Sequence, residues 1–317
     1  MQTYIGDLID DSRRDTREDV DVPTTTSIVG IQTKDFLRYA NFAQQRLQGK
    51  ITKKHPFVFE AKKEIDVVAD QADYGINDNL FIGTRIRKVE YSATGELKDY
   101  VRLTPNNPYH TYVKGGHPRM YSRSDGTITV EPVPSVGGGK LRVTFERALD
   151  RLALRAGQIA SHTNSGTQIT AITLSTSNDE AELLQSGSTQ YLCVNDKYGT
   201  VKMYNIPITS YDSGTGVVTF PAFTYQTGET IANGDYVTVG KYSTTHSKLV
   251  DDAERYIIEY MNRRIFKRGS SPDALLVDQE LKEIEEDIVS SYANPDKDIK
   301  GISIVDYEML IWDDGWE

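Results

Sequence analysis

The side chains of this sequence that could bind a metal, attack a substrate or transfer protons are five histidines, one cysteine and several adjacent acidic pairs. The histidines are scattered along the chain without the close spacing of a metal site. Each lies beside turn residues or charges, which predicts a solvated imidazole. They are His55, His110, His117, His162 and His246. We therefore predict neither a metal site nor a cofactor.

Two further motifs suggest chemistry, and both are better explained by structure. Residues 135–140 (SVGGGK) resemble a phosphate-binding loop, but Pro134 replaces the first glycine and Leu141 the hydroxyl residue that binds magnesium. A glycine turn before a strand explains this stretch. Cys193 lies in the apolar run YLCV and has no second cysteine to pair with, so we expect it to fill a core.

The acidic pairs are adjacent in sequence, so on a helix their side chains diverge by about 100° and most should be solvated. These pairs are Asp10-Asp11, Asp251-Asp252, Glu285-Glu286 and Asp313-Asp314. A glycosidase needs two carboxylates only about 5 to 10 Å apart in space. The sequence leaves open such a pair formed from distant positions, but it indicates no particular one.

Composition limits the class of protein. The 317 residues can bury a sizeable core, and this length suggests roughly two domains. With 38% hydrophobic and 26% charged residues, no long apolar run and no signal peptide at Met1, we expect a soluble protein made in a cytoplasm. The net charge of −10 argues against a protein that grips nucleic acid through its phosphates, but it is compatible with DNA sliding past.

The strongest helical pattern covers residues 247–269. Ser247 can cap this helix, acidic residues follow near its start, basic residues crowd its end and Gly269 can close it. Two adjacent apolar stripes cover about half of its surface, so we expect it to pack against two neighbours, as the middle member of a bundle. The stripes are Leu249, Ala253, Tyr256 and Tyr260, and Val250, Ile257, Met261 and Ile265.

Two N-terminal patterns predict its partners. Thr3 can cap a helix with Ile5, Leu8, Ile9, Ser12 and Thr16 on one face. A second helix begins at Thr33 or Asp35, with Gly49 as its stop, and its face is Phe36, Ala40, Ala43 and Leu47. Neither face is wide enough to form a core alone, so both chain ends should meet.

Short β patterns with turn residues fill the middle of the chain. The first group includes residues 64–68, 86–91, 127–130 and 140–145, with a hairpin turn at residues 124–126. The second includes residues 169–174, 190–194, 201–208, 216–220 and 236–239, and it reads as a separate insertion.

A fourth helix is predicted to open at residues 271–273 and to stop at Asn294-Pro295, and an irregular tail follows. Its apolar residues are Leu275, Leu281, Ile284 and Ile288. The tail, residues 302–317, has five acids and no Lys or Arg, yet it is rich in aromatic and aliphatic residues. We expect it to dock on a neighbouring subunit or another protein of the same assembly, and the alternative is that it folds back. Its predicted partner-binding residues are Tyr307, Leu310, Ile311, Trp312 and Trp316.

Four stretches in this order resemble bacteriophage head-to-tail adaptor proteins, and the podophage tail tubular A type is similar. They are residues 3–9 (TYIGDLI), 35–43 (DFLRYANFA), 86–91 (IRKVEY) and 125–132 (DGTITVEP). The matching helix positions are Asp7, Leu8, Ile9, Leu37, Tyr39, Asn41, Ala43 and Leu47. The resemblance covers residues 1–155 and 246–312, and it does not cover the inserted β unit.

The resemblance implies a non-enzymatic structural protein of the virion neck, with helices packed in a bundle. Copies would form a ring, usually twelve-fold, below the portal and above the next tail or nozzle protein, with DNA passing through without sequence-specific binding. The C-terminal tail would dock on a neighbouring subunit, the portal or the next tail component. We expect no membrane partner. The residues predicted to pack the bundle and the subunits are Leu8, Ile9, Phe36, Leu37, Leu47, Tyr256, Ile257, Tyr260 and Met261.

The predicted fold class is α+β, with a helical bundle from both chain ends, an antiparallel β module and a second, inserted all-β unit. The expected boundaries are 1–51 with 246–294 for the bundle, 52–155 for the β module (a sandwich or small barrel), 156–245 for the insertion and 295–317 for an extended C-terminal arm. The alternative function is a phage tail protein that binds or degrades glycan, with its site in the Tyr- and Thr-rich β unit.

Overall fold

A computed structural model of the chain describes residues 3–16, 31–75, 86–106, 115–124, 127–165, 168–175, 184, 190–224, 230–268 and 273–292. Within these residues the fold is mixed α+β, with four helices and several antiparallel sheets. The helices are α1 (Ile5–Thr16), α2 (Thr33–Lys54), α3 (Asp252–Arg268) and α4 (Asp273–Ser291), and a short 3₁₀ helix spans Leu97–Asp99.

Residues of all four helices belong to one hydrophobic cluster, which we call the helical core. Helix α3 contacts α1, α2 and α4, one helix more than the two neighbours predicted from its apolar stripes. Every stripe residue is buried except Val250, which is half-buried. The broad apolar surface of α3 is therefore covered within its own chain.

Three helix boundaries differ from the predictions. Helix α2 continues through Gly49 to Lys54, because the burial of Ile51 in the helical core outweighs the roughly 1 kcal/mol helix cost of glycine. Helix α3 begins at Asp252, too far along the chain for Ser247 to cap it, and the Ser247 hydroxyl instead donates to Gln44 and accepts from the Leu249 N–H. Thr3 likewise donates its N–H and hydroxyl to the Glu254 carboxylate.

Helix α4 lies against the helical core through Val277, Leu281, Ile288 and Val289, with Ile284 half-buried beside them. Leu275 was predicted to belong to this apolar face, but it does not. Its side chain is 77% exposed, and the neighbouring Leu276 is 70% exposed. Ala274 and Val277 take the inward positions of the first turns.

Two four-stranded sheets follow α2. Their strands are β1 (Glu60–Asp66), β2 (Asp73–Gly75), β3 (Ile86–Ser92), β4 (Val101–Arg102), β5 (Thr104–Pro105), β6 (Met120–Ser124), β7 (Thr127–Glu131) and β8 (Lys140–Glu146). One sheet has the order β1-β8-β3-β4 and the other β2-β7-β6-β5. Residues of both sheets form one hydrophobic cluster, and β6 and β7 pair as the predicted hairpin.

A seven-stranded sheet occupies the region of the predicted insertion. The remaining strands are β9 (Arg151–Leu152), β10 (Arg155–Ser165), β11 (Gln168–Leu174), β12 (Tyr191–Asn195), β13 (Val201–Pro207), β14 (Ser210–Asp212), β15 (Val217–Thr224), β16 (Tyr236–Val239) and β17 (Ser243–Thr244). The sheet order is β13-β12-β16-β10-β11-β15-β14, and its apolar residues form a cluster of their own. Strands β13 and β15 contact each other across the sheet, so it curves strongly.

Candidate functional site

Buried polar side chains join the helices to the two β regions. We call residues 147–154, between β8 and β10, the connector. Helix α2 places three amide side chains, Asn41, Gln44 and Gln48, on the face that meets it. Asn41 both donates to the Leu152 carbonyl (3.0 Å) and accepts from the Leu152 N–H (2.9 Å). The amide thus replaces a strand partner for the connector backbone.

The other two amides continue this pattern along α2. Gln44 donates to the carbonyl of Asp150 at 2.8 Å, and Gln48 donates to that of Arg147 at 2.6 Å. Gln48 also accepts from the Leu149 N–H at 3.2 Å. The spacing of these amides, i, i+3 and i+7, was visible in the sequence. This spacing places the three amides on one face of the helix, but we did not predict the contact from it.

The carboxylate of Asp150 is the centre of the connector. Its side chain has no solvent exposure, and it accepts from Lys248 (2.6 Å), Arg147 (3.2 Å) and the Tyr204 hydroxyl (3.2 Å). Lys248 follows the seven-stranded sheet and precedes α3, whereas Tyr204 lies on β13. One buried anion therefore ties the connector to the seven-stranded sheet and to the approach to α3.

A second junction joins the start of α1 to the seven-stranded sheet. The Arg155 guanidinium lies between the rings of Tyr4 and Tyr236, at 4.0 and 3.9 Å from their centroids. The Tyr4 hydroxyl accepts from the backbone N–H of Arg155 at 3.1 Å, and Tyr4 forms a β-bridge with His246. This stacking is a cation–π arrangement that fixes two distant chain segments.

His246 is buried, so the prediction that it is solvated is wrong. Its ring packs against Gly199, where an added Cβ would lie 2.5 Å from His246 atoms, and Gly199 also has a φ of +80°. Burial lowers the pKa of His246, and the nearby Arg155 charge lowers it further. The contacts come from residues far away in sequence, so the local sequence did not indicate them.

The structure brings together eight of the nine residues predicted to pack the bundle and the subunits. Leu8, Ile9, Phe36, Leu47, Tyr256, Ile257, Tyr260 and Met261 are all buried in the helical core. The ninth, Leu37, is half-buried at the edge of the helical core, where it lines a surface groove. The predicted tail residues Tyr307, Leu310, Ile311, Trp312 and Trp316 lie outside the described residues.

Glu285 is an exception to the expectation that the acidic pairs are solvated. It is buried on α4, where it accepts from the Tyr256 hydroxyl at 3.2 Å. It also pairs with Arg46 and Lys50 of α2, the closer at 2.7 Å. Burial raises the pKa of Tyr256, and the Glu285 charge adds to that effect. This contact joins three helices and was not predicted, because its cations lie more than two hundred positions away.

A cleft between α1 and α3 is lined mainly by acids. Asp11, Asp15 and Glu259 face it, together with Asp252 and Glu254. Burial raises the pKa of Glu259, and the charges of Glu280 and Asp15 raise it further. Arg14 and Arg255 also line the cleft, so six acids face two basic residues and the excess charge is negative.

The cysteine and the glycine-rich stretch that could suggest chemistry have structural roles. Cys193 is buried, as predicted, and burial raises the pKa of its thiol. Residues 135–139 form the turn before β8, and Lys140, the first residue of β8, pairs with Asp66 at 2.8 Å. In the described part of the chain, no group of three or more His, Cys, Asp or Glu residues is arranged to hold a metal ion.

The aromatic residues of the seven-stranded sheet serve its interior and its junctions. Phe220 is buried in the cluster of that sheet, and Tyr211 and Phe223 pack against it. Tyr204 and Tyr236 belong to the two junctions described above. Among the residues of this sheet that the structure describes, Tyr198 is the large aromatic most exposed to solvent. A row of exposed aromatics suited to a sugar chain is not found among them.

No protein-family model matches this chain, and no curated protein matches it. Among the described helices, none combines the length and apolarity needed to cross a membrane.

Proposed function

We propose that the chain is a structural protein of a tailed-phage virion whose copies form a ring at the head-tail junction. In this proposal the four helices form a bundle from both chain ends, and the ring, of about twelve copies on the family resemblance, joins the portal to the next tail or nozzle protein. The protein is made in the host cytoplasm and catalyses no reaction. DNA passes through the ring without sequence-specific binding.

The observation that carries the proposal is a pair of different apolar patches at opposite ends of α4. Leu275 and Leu276 form the first, near its N-terminal end. The second consists of Phe57 and Val58, which follow α2 and are 67% and 39% exposed. Closed rings need heterologous contacts, in which one surface of each copy meets a different surface of the next.

The position of the second patch follows from contacts at the C-terminal end of α4. His55 bonds to the Val289 carbonyl at 2.9 Å, and the rings of Phe59 and Tyr292 lie 6.2 Å apart. Leu275 and Val289 are fourteen helical residues apart, or about 20 Å at 1.5 Å per residue. The patches are thus well separated, which supports head-to-tail contacts over a two-fold dimer.

The charge of the chain supports the passage of DNA. The net charge is −10, and the acidic cleft between α1 and α3 adds a local concentration of carboxylates. A polyanion is repelled by such surfaces and so does not adhere to them. The resemblance to adaptor proteins supports the same reading, because it places the portal and the tail on either side of the ring.

The mass of the full-length protein in solution and in particles tests the proposal. We expect a closed oligomer of about twelve copies, either alone or once portal-containing heads are added. The variant Leu275→Glu/Leu276→Glu should remain monomeric, since it places charge in one patch. Leu97→Glu, at an exposed site on the 3₁₀ helix, is the matched control and should assemble normally. A stable trimer, or a monomer that never joins particles, would contradict the ring.

A further inference from the structure

A groove of about 480 Å³ lies between α2, the connector and β16. Its apolar lining includes Leu37, Phe42, Leu149, Leu154 and Val239. Phe42 is 45% exposed although it lies in the middle of α2. An apolar surface of this kind on a helix is commonly covered by a partner or by another part of the chain.

The rim of this groove is basic, in contrast to the acidic chain. Lys34, Arg38 and Arg151 line it, against one acid, Asp35. Asp35 already pairs with Arg38 at 3.1 Å and with Arg268 at 3.7 Å. Within the described residues, Lys34 and Arg151 form no ion pair. The groove therefore fits a ligand that is both apolar and acidic.

Residues 302–317 of the same chain have this composition. They contain Tyr307, Leu310, Ile311, Trp312 and Trp316 together with five acids, and they contain no Lys or Arg. Aromatic anchors in an apolar groove and carboxylates near a basic rim are the division expected of a specific contact.

The end of α4 lies close enough for this segment to reach the groove of its own chain. Tyr292 follows α4 and lines a small cavity together with Leu149, and Leu149 also lines the groove. The nine residues 293–301 can span up to about 30 Å when extended. The groove follows α2 from Lys34 to Gln45, about 16 Å. Such a short tether gives a high effective concentration, which favours the segment's own groove over that of another copy.

We propose that, in the isolated subunit, residues 302–317 occupy the groove of their own chain, with the aromatics against Phe42 and Leu149 and the carboxylates beside Lys34, Arg38 and Arg151. The groove is then covered until the segment is drawn to another surface. This inference does not rest on the proposed ring. Residues 302–317 then fold back on their own subunit, and the groove is the surface that receives them.

Intrinsic tryptophan fluorescence of the full chain tests this proposal directly, because the only two tryptophans are Trp312 and Trp316. We expect emission at short wavelength, as for a buried indole, and weak quenching by a soluble quencher. Phe42→Glu should shift the emission to longer wavelength and increase quenching. Lys34→Glu/Arg151→Glu should do the same through charge alone, at exposed positions where the fold should tolerate the change. Circular dichroism of each variant verifies its fold.

Two matched controls make the test specific. Leu275→Glu adds the same charge at an exposed apolar helical residue outside the groove, and Arg102→Glu reverses an exposed charge on β4. Neither should change the emission. All spectra are repeated in the Leu275→Glu/Leu276→Glu background, which should be monomeric. A change in emission in that background therefore reports loss of the groove contact and not loss of the ring.

Three results would overturn the proposal. The first is solvent-exposed tryptophan emission from the parent protein. The second is a buried emission that none of the groove variants shifts. The third is a buried emission that disappears on dilution, since this would place the segment on another copy. A concentration-independent shift confined to the groove variants would support it.

Discussion

Asp150 and Lys248 form an ion pair of 2.6 Å between a carboxylate without solvent exposure and an ammonium group 98 positions later in the chain. The carboxylate belongs to the connector, and the ammonium group belongs to the segment that leads into α3. The pair therefore fixes the point at which the chain returns from the seven-stranded sheet to the helices. Tyr204 and Arg147 complete the set of donors around the carboxylate.

The first prediction concerns this buried carboxylate. Asp150→Asn should destabilise the protein by about 2 kcal/mol, because it removes the charge from the hydrogen bonds that Lys248 and Arg147 donate, while the partial exposure of both cations limits the cost. Lys248→Met should cost less, since Arg147 and Tyr204 still donate to Asp150. Urea unfolding followed by circular dichroism measures both. Equal midpoints for the parent and Asp150→Asn would show that this group does not hold the connector.

The second prediction is a loss of stability in acid that depends on His246. Its folded-state pKa is lowered from 6.5 by burial and by Arg155, so the unfolded chain binds the proton more readily. The stability linked to His246 is fully present above about pH 6.5 and is lost as the pH falls through the lower folded-state pKa. The slope for one proton is at most about 1.4 kcal/mol per pH unit.

Unfolding measured between neutral and mildly acidic pH tests this dependence. His246→Gln should flatten the slope below pH 6.5, whereas His117→Gln, at an exposed position, should leave it unchanged. If both variants kept the slope of the parent, another group would be responsible for it.

The third prediction concerns Glu259, for which the sign is opposite. Burial, Glu280 and Asp15 raise its pKa above the ordinary 4.5, so the folded state binds the proton more tightly. The protein should therefore lose stability as the pH rises from about 4.5 through the raised pKa. Glu259→Gln should stabilise the protein at neutral pH and have little effect in acid. Glu286→Gln, on the exposed face of α4, should leave the stability unchanged both at neutral pH and in acid. A destabilised Glu259→Gln at neutral pH would contradict the assignment.

Periodicity in the sequence predicted most of the elements, because burial on one face leaves a local pattern. The stripes of α3 and the alternation of β8 show this, since Tyr256 and Ile257 are buried and inward positions of β8 such as Leu141 and Val143 are buried. Gly49 was predicted as a stop from local propensity alone. The burial of Ile51 overrides that propensity, and this depends on the other helices.

The junctions could be predicted only in part, because their partners are distant in sequence. Asp150, Tyr204 and Lys248 each have an ordinary local context, and only the fold brings them together. Arg155 likewise meets Tyr4 from the opposite end of the chain. A single sequence contains no local signal for such contacts, apart from the amide spacing on α2.

The fourth prediction tests the helical core through α3. Ile257→Asp should destabilise the protein by roughly 4 kcal/mol or more, because it buries an unpaired carboxylate. Tyr260→Asp should also destabilise the protein, because it removes a buried ring together with the hydroxyl that accepts from Arg264 at 2.6 Å. Urea unfolding of the two variants gives the comparison. A parent-like midpoint for Ile257→Asp would mean that this stripe is not buried.

The fifth prediction concerns replacement of residues 157–243 by a Gly-Ser linker. The ends of this region lie within reach of each other, because β9 and β17 pair in parallel and place Arg151, six residues before Gly157, beside Ser243. A linker on the order of ten residues can therefore close the gap, and closure entropy rises only slowly with its length. We expect the helical circular dichroism signal to persist, since the helical core contains no residue from 157–243.

The same replacement should nevertheless lower the melting temperature, because it removes Gly199 from His246, Tyr236 from Arg155 and Tyr204 from Asp150. The double variant Tyr204→Phe/Tyr236→Leu in the full chain is the matched comparison, since it breaks two of these contacts and keeps the sheet. Its melting temperature should fall between those of the parent and the replacement. Loss of the helical signal on replacement would instead show that the helices need the seven-stranded sheet in order to fold.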